Sequence, residues 1–174
     1  MKILILNGSP RQGNTLTAVN AFIDGASQKN TIEKIDAYHV NVGQCTACDI
    51  CKCQYGCIAK DDTNNVVNKI VDADMIVVAS PVYSWGLTAR VKTIIEKCYC
   101  RDQQVKNKKL GVIIVGAEPV SNLQYAAIKE QFSCLCGYMK WNAVFFKCYS
   151  AAGPSDLAKD GGALRELSLI GSKL

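Results

Sequence analysis

The sequence predicts an α/β fold, a doubly wound five-stranded parallel sheet of order 2-1-3-4-5 with helices on both faces. Three observations predict it. Short apolar runs recur along the chain, as strands buried on both faces require. Amphipathic helical patterns lie between them. The 174 residues suit one compact domain with a good core. Residues 1–174 are therefore read as a single domain with a cysteine-rich insert at 43–60.

The first strand is residues 2–6, Lys-Ile-Leu-Ile-Leu. The glycine-bearing loop NGSPRQGNT, residues 7–15, follows it. Leu16, Val19, Ile23 and Ala26 then recur at helical spacing. Residues 32–40 are polar enough to be an edge strand. The insert at 43–60 has no periodicity. Val66, Val67, Ile70 and Val71 mark a helix over 63–72, behind Asp61-Asp62-Thr63 as its cap. A strand at 75–79 and a helix at 88–98 come next, the helix carrying Val91, Ile94, Ile95 and Cys98. A strand at 110–115 precedes a helix at 121–135, where Ser121 and Gln124 fit a capping box. A strand at 143–149 and a helix at 163–173 complete the alternation. In such sheets ligands sit beyond the carboxyl ends of the strands, at the switch point beside strand 1.

Bulk properties exclude several classes. Hydrophobic residues make up 49% and charged residues 20% of the chain. The net charge of +5 is mild, and Lys106-Asn107-Lys108-Lys109 is the densest basic stretch. It reads as a solvated loop, so no nucleic-acid partner is expected. No apolar run approaches the ~18 residues of a membrane span, and no signal peptide is recognised. The expectation is a cytoplasmic protein without a membrane partner. In that reducing compartment ten cysteines point to metal or redox chemistry before disulfides.

Gly8 to Thr15 reads G-x-x-x-x-G-N-T. Asn14 stands where a nucleotide P-loop has its lysine, so triphosphate binding is not expected. The dinucleotide fingerprint G-x-G-x-x-G is also absent. What remains is a small polar nest. Ser9, Asn14 and Thr15 offer donors and Arg11 adds charge, which suits one phosphate monoester. The plain alternative is an ordinary capped βα turn. After the third strand, Ser80-Pro81-Val82-Tyr83-Ser84-Trp85-Gly86 offers two aromatics and backbone amides beside that nest. A flat aromatic ligand would stack there. Tyr83 and Trp85 would otherwise be core or interface residues. Gly116-Ala117-Glu118-Pro119 closes the other side.

NGSPRQGNT and DADMIVVASPVYSWGLTARVKTIIEK together resemble the NADPH-dependent FMN reductase family of flavodoxin-like proteins. The similarity in element order covers essentially the whole chain. The resemblance implies that Ser9, Arg11, Gly13, Asn14 and Thr15 hold the FMN phosphate. It implies that Pro81, Val82, Tyr83, Ser84 and Trp85 lie along the isoalloxazine ring, with Gly116 at the ring or ribityl chain. NADPH or NADH would be the co-substrate, and a homodimer or a tetramer the assembly. Glu96-Lys97 departs from the Asp-Arg often found in relatives. The charges match, but an arginine-specific contact is lost.

Residues 45–57 read CTACDICKCQYGC. Cys45, Cys48, Cys51 and Cys57 are spaced C-x2-C-x2-C-x5-C. Four thiolates in a compact loop suit an iron–sulfur cluster, zinc, or free redox-active thiols. The motif resembles that of the iron–sulfur flavoproteins, which implies a [4Fe–4S] cluster on these four residues. Cys98, Cys100, Cys134, Cys136 and Cys148 read as small buried side chains. His39, the one histidine, lies away from the flavin end. No catalytic side chain is expected, because the flavin carries the redox chemistry. The expected function is electron transfer from NAD(P)H through FMN to a quinone, nitro or azo aromatic, or flavin. The alternative is an electron-transfer protein that takes electrons from ferredoxin.

Overall fold

The structure, a computed structural model, describes residues 1–174. Five strands, β1 (Lys2–Asn7), β2 (Thr31–Asp36), β3 (Met75–Pro81), β4 (Lys109–Gly116) and β5 (Asn142–Ser150), form one parallel sheet. Its order is β2-β1-β3-β4-β5, the flavodoxin-like arrangement that the alternation of elements predicts. The helices are α1 (Asn14–Ala26), α2 (Thr63–Asp72), α3 (Ala89–Lys97), α4 (Leu123–Met139), α5 (Asp156–Lys159) and α6 (Gly161–Ser172). No helix is long and apolar enough to cross a membrane.

The period-2 alternation of strand side chains divides the core into two faces. Leu4, Leu6, Ile76, Val78, Val112 and Ile114 point to the side covered by α2, α3 and α4, and meet Val66, Ile70, Val91, Ile94 and Phe132. Ile3, Ile5, Met75, Val77, Ile113 and Val115 point to the other side, against Val19 and Phe22 of α1 and Leu167 of α6. The crossing of α1 and α6 is unusually close. A Cβ added to Gly25 would lie 1.9 Å from the Ser168 carbonyl oxygen, and one added to Gly171 would lie 2.4 Å from that of Phe22.

Several boundaries differ from expectation, among them the end of α4, which runs on to Met139, and three have a visible cause. β2 stops at Asp36, short of residue 40, because the Ala37 amide already bonds the Asn7 carbonyl (2.8 Å) and the chain then turns back at His39 onto Asp36. α4 is capped by Asn122 rather than Ser121. The Asn122 side chain accepts from the Gln124 amide at 3.0 Å. The C-terminal helix is preceded by a separate short turn, α5. Asp160 divides the two and caps α6 by accepting from the Gly162 and Ala163 amides (3.0 and 2.9 Å).

Candidate functional site

The loops that leave the carboxyl ends of β1, β3, β4 and β5 meet at one edge of the sheet. The β1 loop is pinned from below. Asn7 is buried, donates to Asp36 Oδ1 (2.7 Å) and accepts from the Ser9 amide (3.3 Å). The Gly8 amide bonds the Ala79 carbonyl (2.7 Å), and Thr88 Oγ1 donates to the Gly8 carbonyl (3.0 Å). A Cβ on Gly8 would stand 2.5 Å from Val91 Cγ2, so only glycine lets the loop pass so close to α3. Ser9 Oγ donates to the Arg11 carbonyl (3.0 Å) and accepts from its amide (3.1 Å), which curls the loop back. Arg11 itself is exposed, and Thr15 is buried in the first turn of α1.

Helix α1 begins without a side-chain cap at Gly13 and without an acidic residue in its first turn. Its first amides and the positive end of its dipole are thus left for an anion. Asn14 is engaged elsewhere. Its side-chain nitrogen donates to the Gly153 carbonyl (2.7 Å), and its oxygen accepts from the Leu157 amide (3.1 Å). This corrects the expectation of a free side-chain donor at position 14. Asn14 instead fastens the 151–157 segment beside the nest, which leaves its backbone amide, in the first turn of α1, as its remaining donor. That segment was not legible as part of the site. The only signal was Gly153-Pro154-Ser155-Asp156, turn chemistry at the end of a strand.

The β3 loop forms a miniature hairpin. Tyr83 and Gly86 exchange both backbone hydrogen bonds at 3.0 Å. Ser84 and Trp85 turn the corner with φ of 47° and 61°. Left-handed conformations cost non-glycine residues about 1–2 kcal/mol each, and such strain gathers at ligand clamps. The turn presents Trp85, 72% exposed, and Tyr83, 42% exposed. Pro81 and Val82 are half-buried, with the Val82 amide held by the Val115 carbonyl (2.9 Å). Gly116 closes β4, and its carbonyl accepts from the Ala151 amide (2.7 Å). Ser84→Gly is expected to raise the urea midpoint, with a gain in stability of less than about 1 kcal/mol after the entropy cost of glycine in the unfolded chain. An unchanged or lowered midpoint would show that the turn is not strained.

The cysteine insert packs against α2 and the end of α3. Cys45, Cys48, Cys51 and Cys57 line one cavity together with Asp49, Ile58, Glu96, Lys97, Tyr99 and Cys100. The four predicted thiols thus line one cavity without converging on one point. The structure adds a fifth, Cys100, which sequence reading treats only as a small buried side chain. Cys98 and Cys100 are indeed buried, whereas Cys134 is exposed on α4 and Cys136 and Cys148 are half-buried. No three of these side chains converge at metal-binding distances. Burial pushes the Cys51 and Cys100 thiols up, and the negative charge of neighbouring cysteines adds to it. The acids at the margin are engaged elsewhere, Asp49 by Lys52 (2.9 Å) and Glu96 by Lys92 (2.7 Å). The available donors are therefore soft thiols, which suit iron–sulfur chemistry.

Cys57 is the best fixed of the set. Its amide donates to Asn64 Oδ1 (2.9 Å) and its carbonyl accepts from Asn64 Nδ2 (2.7 Å). Two aspartates clamp the base of the insert. Asp61 accepts from the Gly43 and Thr63 amides (both 2.9 Å), and Asp62 accepts from the Asn41 amide (2.7 Å). Burial raises the Asp61 pKa, but hydrogen bonds from Thr63 and Gly43 outweigh it and hold the carboxyl below its ordinary value. A depressed folded-state pKa gives stability that is complete above the unfolded value, ~3.9, and is lost as pH falls through the folded value. Acid should therefore loosen the clamp. In urea titrations between pH 7 and pH 3, Asp61→Ala is expected to show a shallower loss of stability than the native chain. Equal slopes would remove Asp61 from the account.

Comparison with known proteins agrees with the fold. An iron–sulfur flavoprotein of Methanocaldococcus jannaschii is 32% identical over 119 residues, or 66% of this chain and 60% of that protein. The chain thus spans about 60% of the length of that relative. The fold matches an NAD(P)H:quinone oxidoreductase from Methanothermobacter marburgensis with a TM-score of 0.72 at 17% identity, covering 99% of this chain and 94% of that one. It matches a flavodoxin, WrbA-like protein from Agrobacterium tumefaciens with a TM-score of 0.67 at 16% identity, covering 99% and 93%. The family described as NADPH-dependent FMN reductase matches residues 1–142, which contain the β1, β3 and β4 loops and the insert. The chain belongs to the NADPH-dependent FMN reductase family.

Proposed function

We propose that this chain is an FMN-dependent NAD(P)H oxidoreductase that passes electrons to a small acceptor, a quinone, a nitro or azo aromatic, or a flavin. The observation that carries the reading is the uncapped start of α1 set beside the strained, aromatic β3 turn. The amides of residues 13–15, with Ser9 and Arg11, would hold the FMN phosphate. Pro81, Val82, Tyr83, Ser84 and Trp85 would flank the ring, and Gly116 would lie at its edge. Bound FMN accepts a hydride from a nicotinamide and releases electrons to an acceptor. The protein's part is to orient the ring and to shield one of its faces. The exposed Trp85, Val120 and Leu123, 72%, 56% and 78% accessible, favour a second copy as the remaining cover, in a homodimer or a tetramer. Ten thiols without a disulfide suit the cytoplasm.

The shared thiol-lined cavity favours a second reading, an iron–sulfur flavoprotein with a [4Fe–4S] cluster on Cys45, Cys48, Cys51 and Cys57 that takes electrons from ferredoxin. One experiment separates the two. The protein is purified without oxygen, its absorption spectrum recorded, and NADPH then added. A flavin spectrum that bleaches rapidly with NADPH supports the reductase. A flavin spectrum under a broad iron–sulfur band, reduced by ferredoxin and not by NADPH or NADH, supports the second reading. Absence of bound flavin, with none taken up from added FMN, would overturn both.

A further inference from the structure

Lys97 ends α3 and is only 5% exposed. It forms no ion pair, and its neighbour Glu96 bonds Lys92 instead. The one side-chain partner of its ammonium is Cys57 Sγ, at 3.6 Å. Burying an ammonium costs several kcal/mol unless opposite charge compensates it. A neutral thiol does that poorly. The cavity's own carboxylates, Asp49 and Glu96, are paired with other lysines, and Asp61 at the base of the insert feels the Lys97 charge while the Gly43 and Thr63 amides hold it; the cavity itself holds five sulfurs. Asp61 supplies part of the compensating charge, and whatever those sulfurs bind would supply the rest. Cys57 is also the thiol that Asn64 grips at both its amide and its carbonyl, so its pairing with Lys97 has a fixed geometry.

We propose that Lys97 is a positioning residue that compensates the negative charge of an iron–sulfur centre on Cys45, Cys48, Cys51 and Cys57, and thereby raises its reduction potential. The inference rests on the second reading above. One-electron reduction adds one negative charge to the centre, with the electron supplied by the reductant and no bond made or broken. A fixed positive charge at a ligand sulfur favours the reduced state more than the oxidised one, and does so strongly away from water. Its removal must lower the potential.

The test compares the native chain with Lys97→Met, Lys97→Gln and Lys97→Arg, each reconstituted without oxygen with iron, sulfide and FMN. Iron content is measured, and the midpoint is followed by absorbance and by electron paramagnetic resonance of the reduced centre. Lys97→Met and Lys97→Gln are expected to shift the reduction equilibrium at least tenfold towards the oxidised form, about 59 mV for a one-electron couple. Glutamine retains an N–H donor, so its shift isolates charge. Lys97→Arg is expected to keep the native midpoint. Native midpoints in both neutral variants would overturn the proposal. Loss of iron in the neutral variants with retention in Lys97→Arg would support it. Loss of iron in all three would overturn it, because charge alone would not be what is required. Native protein that binds FMN but no iron would overturn the iron–sulfur reading itself.

Discussion

Gly25→Ala is expected to destabilise the protein by about 2–3 kcal/mol. In an open helix the change would gain up to about 1 kcal/mol. Here the new methyl would lie 1.9 Å from the Ser168 carbonyl oxygen and 2.7 Å from its carbon. Both are backbone atoms of α6, so no side chain can swing aside. The helices must part, and the opposing contact of Gly171 with Phe22 and Ala26 prevents an easy slide. Separation also loosens Phe22 and Leu167, which are fully buried against the sheet. Gly137→Ala is the control, because a methyl there meets nothing within 4 Å on the exposed side of α4. It is expected to stabilise slightly. Urea midpoints of the two variants should move in opposite directions. If both rise, the close crossing is not a feature of the protein in solution.

Asn14→Asp is expected to weaken FMN binding on the order of a hundredfold. Two effects combine. The carboxylate can still accept from the Leu157 amide, but it has no proton to donate to the Gly153 carbonyl, so the 151–157 segment is pushed away. It also places negative charge in the first turn of α1, where it competes with phosphate for the same amides. That charge suits the helix dipole, so the flavin-free protein should lose little stability. Asn14→Ala removes the tether without adding charge and should cost less affinity. Fluorescence titration with FMN measures both. Equal losses would assign the effect to the tether alone, and native affinity in Asn14→Asp would remove phosphate from this helix end.

Much of this was legible because buried parallel strands are nearly continuous apolar runs. Lys2–Leu6 and Met75–Ala79 show no other pattern, and their order in the chain implies the switch point. Spacing also grouped Cys45, Cys48, Cys51 and Cys57, which do face one cavity. What stayed hidden depends on contacts between distant residues. Cys100 joins the thiols only because the turn after α3 folds against the insert. The Asn14 side chain is bonded 139 residues away, at Gly153. Nothing local announces that Lys97 is buried, since lysine is ordinarily a surface residue. The strain at Ser84 and Trp85 was invisible for a related reason. Neither residue favours φ > 0, so ordinary turn rules pass over them.

The aspartate clamp makes the insert a cassette. Asp61 and Asp62 bring the ends of its loop together at Asn41 and Gly43, and its second half is held on the core by Cys51, Cys57 and the Asn64 bonds to Cys57. The entropy of closing such a loop grows slowly with its length. Residues added within the exposed 44–48 stretch should therefore leave the sheet's stability nearly unchanged. The flavin-side loops lie outside the clamp, so other sequences could be grafted into that exposed stretch without touching them.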